Sequence, residues 1–101
     1  MPHDVPAGWA EANNALGRTV ARADFVEALA YVIEVGRLAE AANHHPDIGI
    51  RGYRSVHISL TSHDAGNLVT TKDLALAKQI NELDEQAIRH TKDELKSRFA
   101  A

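Results

Sequence analysis

Hydrophobic positions change their period along this chain, and each change marks an element. Phe25, Leu29, Val32, Ile33, Gly36 and Ala39 recur at helical spacing. Asp24 stands where an N-cap belongs, and Glu27 three residues later completes an aspartate form of the capping box. A helix from about 24 to about 42 is predicted. Gly36 in its interior costs about 1 kcal/mol relative to alanine, which predicts a close approach to the sheet at that point. Residues 56 to 63 alternate strictly: Val56, Ile58 and Leu60 point to the core, and His57, Ser59, Thr61 and His63 point away. A strand with one polar face predicts an antiparallel sheet with helices on a single side. Leu74, Ala77, Ile80, Leu83, Ala87, Ile88, Leu95 and Phe99 form a further apolar stripe at helical spacing. Thr70 or Thr71 is its cap, with Asp73 in the first turn. One C-terminal helix of about 71–98 follows. Glu85–Arg89 and Glu94–Arg98 are four apart on its outer face. Its charged part beyond Asp84 exceeds what a small sheet covers, which predicts docking on a partner subunit or free projection.

The remaining segments carry weaker patterns. Residues 46 to 55 hold a short strand with Ile48 and Ile50 on one face, and the glycines at 49 and 52 predict a bulge or bend. Residues 16 to 22 are a strand candidate in which Leu16 and Val20 share parity with Arg18 and Arg22. Arginines on that face predict an edge strand. Residues 1–8, with two prolines and a glycine, read as an irregular lead-in, and Trp9 as a core anchor. The expected fold is α+β: a two-layer sandwich of an antiparallel sheet of about four strands with helices packed on one face. A chain of 101 residues makes one domain over 1–101.

Composition narrows the function classes. A net charge of −3 gives no basic footprint for nucleic acid. The absence of cysteine excludes disulfides and thiolate metal sites. No apolar run approaches the roughly 20 residues that span a bilayer, and the start lacks a secretory pattern, so no membrane association and a cytoplasmic location are expected.

The chemistry gathers at Glu40-Ala41-Ala42-Asn43-His44-His45-Pro46, where proline forces the chain out of the helix. Two adjacent imidazoles stand there, and a third, His63, ends the alternating strand. Imidazole suits both acid and base roles near neutrality. Glu40 and His44 are four apart and share a face if the last turn holds. Adjacent histidines diverge in direction on a helix, and the His-x-x-x-His spacing of helical zinc sites is absent, so no metal site is expected. His44-His45-Pro46 taken alone reads equally as a helix stop, His63 as a solvated strand end, Asp73 as a cap, Glu40 as a surface charge, and Tyr53 as a pocket wall or core residue.

The wider pattern changes the weighting. Glu40, then His44, His45 and Pro46, then Tyr53, His63 and Asp73 follow at intervening gaps of three, six, nine and nine residues. This resembles the signature of the pterin-4a-carbinolamine dehydratases (4a-hydroxytetrahydrobiopterin dehydratases). The likeness runs from about Trp9 to about Leu83 and includes Asp24-Phe25 and Ser62-His63-Asp64-Ala65-Gly66. It implies dehydration of a 4a-hydroxytetrahydropterin to the quinonoid dihydropterin, with no cofactor. It implies His44, His45 and His63 as catalytic residues, and Glu40, Pro46, Tyr53 and Asp73 as pterin-binding or supporting ones. Glu40, if it reaches His44, would orient that ring, and Asp73 would hold another site residue. A homodimer or homotetramer is implied too, in a cofactor-recycling role beside a hydroxylase. The alternative on the same scaffold is an interaction protein, such as a Rubisco/carboxysome assembly factor or a transcription-factor dimerisation partner. The chain departs from the family at Val20 and Arg22, where aromatics are usual, at Ile48, where animal members often carry tryptophan, and in its longer C-terminal helix.

Overall fold

In the computed structural model, which describes residues 4–100, four strands form one antiparallel sheet in the order β1-β2-β4-β3. They are β1 (Ala10–Ala12), β2 (Ala15–Ala21), β3 (Asp47–Arg51) and β4 (Ser55–Leu60). Three helices, α1 (Phe25–Ala42), α2 (Thr71–Asn81) and α3 (Glu85–Phe99), make the second layer. The first part of the expected lead-in, residues 1–3, lies outside the described residues. None of the helices is long and apolar enough to cross a membrane, among the described residues.

The expected edge strand is an interior one. β2 pairs with β4 along its length, Leu16 opposite Leu60 and Val20 opposite Val56, and β1 covers its other side. β1 exists because Asn13 and Asn14 both adopt positive φ, 53° and 63°, and close a two-residue hairpin. Asparagine is among the few residues that tolerate that region in succession. The arginines do not mark an edge because both reach partners in the helical layer. Arg18 donates to the Asn81 side chain. Arg22 lies 5.2 Å from the centre of the Tyr31 ring and pairs with Glu27 at 3.0 Å and Glu85 at 2.7 Å. A charged head at the rim of a sheet leaves its apolar stem to pack beneath.

β4 follows its alternation. Val56, Ile58 and Leu60 are buried against Ala28, Tyr31 and Val35 of α1 and Leu76, Ala77 and Ile80 of α2. Trp9 is buried as an anchor, and its indole N–H donates to Asn81 Oδ1 at 2.9 Å. Burying side chains of this size stabilises by about 1.5–3 kcal/mol each. Asp24 caps α1 by accepting from the Glu27 N–H at 2.8 Å. The Glu27 carboxylate reaches back to the Ala23 N–H, one residue short of a full box, because it also serves Arg22 and Lys92. Gly36 makes no close approach: a Cβ there would meet nothing within 4 Å. Gly49 is an ordinary ladder position opposite His57, whereas Gly52 supplies a positive φ of 56° in the β3–β4 turn.

The long C-terminal helix is two helices. α2 ends at Asn81, and Asp84 caps a new helix by accepting from the Gln86 N–H at 2.9 Å. The break lets α3 turn back and pack on α1, so the charged segment beyond Asp84 does not simply project. Ile88 is buried, Thr91 donates to Glu34 at 2.8 Å, and Lys92 bridges Asp24 and Glu27 at 3.1 and 3.0 Å. The charges take other partners than the expected ones: Glu85 reaches Arg22 just past the end of β2, and Glu94 pairs with His90 one turn earlier in α3 at 2.9 Å.

Candidate functional site

The histidine pair is placed by how α1 stops. Asn43 turns left-handed at φ 49°, its N–H bonds Glu40 O at 3.1 Å, and the His44 N–H bonds Ala39 O at 3.1 Å. This is a Schellman closure, and it satisfies two of the last four carbonyls of the helix. Pro46 then holds His45 out of the helical region, and β3 begins at the next residue, Asp47. Because the left-handed residue intervenes, His44 no longer stands one turn above Glu40 on a shared face. Glu40 does not orient His44. Its Oε2 lies 2.5 Å from His45 Nε2, a pair in which both side chains are largely exposed, at 78% and 58%.

His44 goes to Asp73 instead. Its Nε2 lies 2.5 Å from Asp73 Oδ1, with the imidazole 11% exposed and the carboxylate wholly buried. Asp73 reaches this place through the capping box of α2: Thr70 accepts at the helix start and the Thr70 N–H donates to Asp73 Oδ2 at 2.9 Å. Ser62 Oγ–H donates to the same oxygen at 2.7 Å. Burial works against the charge on Asp73. The hydrogen bonds from His44, the Thr70 N–H and Ser62 outweigh it, and the carboxyl sits below its ordinary value. Asp73 at neutral pH is therefore an acceptor only, so the His44 Nε2–H donates to it.

His63 stands just beyond the Ser62 anchor. It opens a 3-10 turn over His63–Ala65 rather than ending β4, which stops at Leu60. Its Nδ1 lies 2.7 Å from Asn67 Oδ1. Ser62 N–H bonds Leu68 O at 3.0 Å and the Asn67 N–H bonds Ser62 O at 3.0 Å, which clamps the base of this loop. Asp64 and Lys72 pair at 2.8 Å beside it. The Lys72 ammonium holds Asp64 below its ordinary carboxyl value.

Other predicted site residues lie differently. Tyr53 is no core residue: it occupies the β3–β4 turn at φ 57° and is 64% exposed. Pro46 is half-buried next to His45. The open face of the sheet carries a groove of about 640 Å³ lined by Gly17, Thr19, Asp47, Arg51, His57 and Ser59 among others, and none of the seven signature residues lines it. Among the described residues, no group of three or more histidine, aspartate or glutamate side chains is arranged to hold a metal ion.

Sequence reasoning missed Ser62 and Asn67. Ser62 had a signal: it continues the inward parity of Val56, Ile58 and Leu60, and a hydroxyl at a core position demands a buried partner. Asn67 had none beyond being a turn residue.

A profile of the family described as pterin 4 alpha carbinolamine dehydratase matches residues 2–83. This chain belongs to that family. A relative from Roseiflexus sp. (strain RS-1), provisionally named a pterin-4-alpha-carbinolamine dehydratase, is 51% identical over 76 residues, covering 75% of this chain and 80% of its own. The crystal structure of a transcriptional coactivator/pterin dehydratase from Brucella melitensis is similar at a TM-score of 0.67 and 28% identity, over 75% of this chain and 81% of that one. A pterin dehydratase-like protein identified as a RuBisCO assembly factor in the alpha-carboxysome shares the fold at a TM-score of 0.58 and 19% identity, over 73% and 83%. The family match stops at Leu83, so α3 lies outside it.

Proposed function

We propose that this protein is a hydro-lyase that dehydrates 4a-hydroxytetrahydropterin to quinonoid dihydropterin in tetrahydrobiopterin-type cofactor recycling. The observation that carries the reading is the buried carboxylate behind His44, with Ser62 linking it to the segment that bears His63. The reaction needs a proton taken from a ring nitrogen and a proton delivered to the departing 4a-hydroxyl; the carbon–oxygen bond breaks, its electron pair leaves with the hydroxyl as water, and the ring nitrogen's electrons form the new double bond. Imidazoles accept and donate in this pH range. His44 and His63 contact the hydroxyl, and His45 binds the pterin or takes the ring proton, the three sharing the transfer as a coupled set. Asp73 supports His44 and Glu40 supports His45. Pro46 and Tyr53 contribute to binding, Tyr53 from an exposed turn. The chain acts as one domain in the cytoplasm and associates as a dimer or tetramer. Light scattering showing only monomer at micromolar concentration would sink the oligomer.

The test follows the decay of enzymatically generated 4a-hydroxytetrahydropterin by ultraviolet absorbance. The protein should accelerate it, and His44→Ala/His63→Ala should abolish the acceleration. A folded wild-type protein that leaves the spontaneous rate unchanged removes the dehydratase reading. The second reading, an interaction protein on this scaffold, is favoured by the RuBisCO assembly factor's shared fold and by α3, which extends past the family match. It predicts no acceleration and a protein partner in its place.

A further inference from the structure

We propose that Asn67 is a positioning residue that fixes the neutral His63 ring in its Nδ1–H tautomer and so turns the Nε2 lone pair toward the pterin. The inference rests on the dehydratase reading for the identity of what meets Nε2; the hold of Asn67 on the ring stands on geometry alone. His63 Nδ1 and Asn67 Oδ1 are 2.7 Å apart. An amide oxygen only accepts, so the proton must be on Nδ1, and a neutral imidazole has only one. Nε2 is then bare, and it has no other hydrogen bond among the described residues. A free histidine side chain prefers the opposite tautomer, so the ring needs this partner to stay as it is.

The loop is constructed to deliver that amide. Asn67 sits at φ 61°, a backbone region asparagine tolerates better than most residues. Its own N–H is tied to Ser62 O at 3.0 Å, the Gly66 N–H to His63 O at 3.2 Å, and the Ser62 N–H to Leu68 O at 3.0 Å. Ser62 is in turn anchored to the buried Asp73. Both ends of the His63–Asn67 segment are therefore pinned to the carboxylate that holds His44. The two rings are gripped by opposite nitrogens, His44 by Nε2 and His63 by Nδ1. Each offers one remaining nitrogen, and the partners differ in kind: a buried carboxylate stands behind His44 and a neutral amide behind His63. Wrongly set tautomers disable histidine bases even where the geometry survives.

The experiment is two-bond proton–nitrogen correlation spectroscopy on uniformly labelled full-length protein, at a pH where the rings are neutral, alongside the absorbance assay. Asn67→Gly removes the amide and keeps the left-handed backbone accessible. Asn67→Asp keeps an acceptor. Wild type and Asn67→Asp should show His63 with a pyrrole-type Nδ1 and a pyridine-type Nε2. Asn67→Gly should exchange the two signals and slow dehydration by at least about tenfold, the lower end for losing a ring-orienting partner, and Asn67→Asp should recover most of the rate. A wild-type His63 in the Nε2–H tautomer overturns the proposal, as does an Asn67→Gly spectrum or rate unchanged from wild type. If wild type has the Nδ1–H tautomer but no dehydratase activity, the functional reading falls and the presentation of Nε2 to a pterin falls with it, while the hold of Asn67 on the ring stands.

Discussion

His44 and His45 are neighbours with the same side chain and the same 2.5 Å distance to a carboxylate oxygen, yet they occupy different regions of the molecule. His44 lies in a buried seam where the end of α1 meets the start of α2. His45 faces solvent at the outer corner of α1. The Asp73 carboxylate behind His44 is wholly buried and takes two further donors, Ser62 Oγ–H and the Thr70 N–H. The Glu40 carboxylate behind His45 is 78% exposed. The pair distance therefore says little about what the pair is worth. Water and salt screen the outer one, while the inner one stands in a low dielectric where an unmet donor is costly.

The largest expected effect comes from deleting the inner carboxylate. Asp73→Ala strands three donors in the seam and should destabilise by about 3–5 kcal/mol, read as a shift in the urea midpoint. A midpoint close to that of the parent would erase the distinction between the two regions. Ser62→Ala removes one hydrogen bond to a charged, buried acceptor and should cost about 1.5–3 kcal/mol by the same measurement. A cost as small as that of a surface change would mean Asp73 is held by His44 and Thr70 alone.

Acid titration sharpens the comparison further. The Asp73 carboxyl sits below its ordinary value of 3.8 in the folded protein. A depressed carboxyl gives stability that is fully present above the unfolded value and is lost as pH falls through the folded one. The stability difference between wild type and Asp73→Asn should thus shrink on acidification below about pH 4. A difference that stays constant from about pH 5 to about pH 3 would show that the charge itself contributes nothing. The smallest effect belongs to the outer pair: Glu40→Gln should leave the urea midpoint where the parent has it. A clear drop would show that this exposed contact is ordered well beyond the usual surface pair.

Much of the fold was legible in local pattern. Asp24 and Thr70 cap as their positions predict, and β4 buries the residues its alternation assigns to the core. The site was legible as a set of residues but not as a set of pairs. Glu40 and His44 have helical spacing, and the pairing fails because Asn43 leaves the helix before the spacing can act. The interior place of β2 was hidden by its arginines, whose partners Asn81, Glu27 and Glu85 come from helices up to 63 residues away. The break before α3 was hidden too, since Leu83, Ala87 and Ile88 keep the apolar stripe running while Asp84 restarts the helix.

What the sequence determined by itself was everything set within a few residues: periods, N-caps, and the spacing of the family signature. These depend on backbone sterics and on hydrogen bonds between near neighbours, so a short window contains both partners. The tertiary structure alone decided which carboxylate serves which imidazole, which polar groups are buried, and which nitrogen of each ring is left free. Those outcomes depend on contacts such as His44–Asp73, 29 residues apart, where the strength of an interaction follows from how much water the rest of the fold removes.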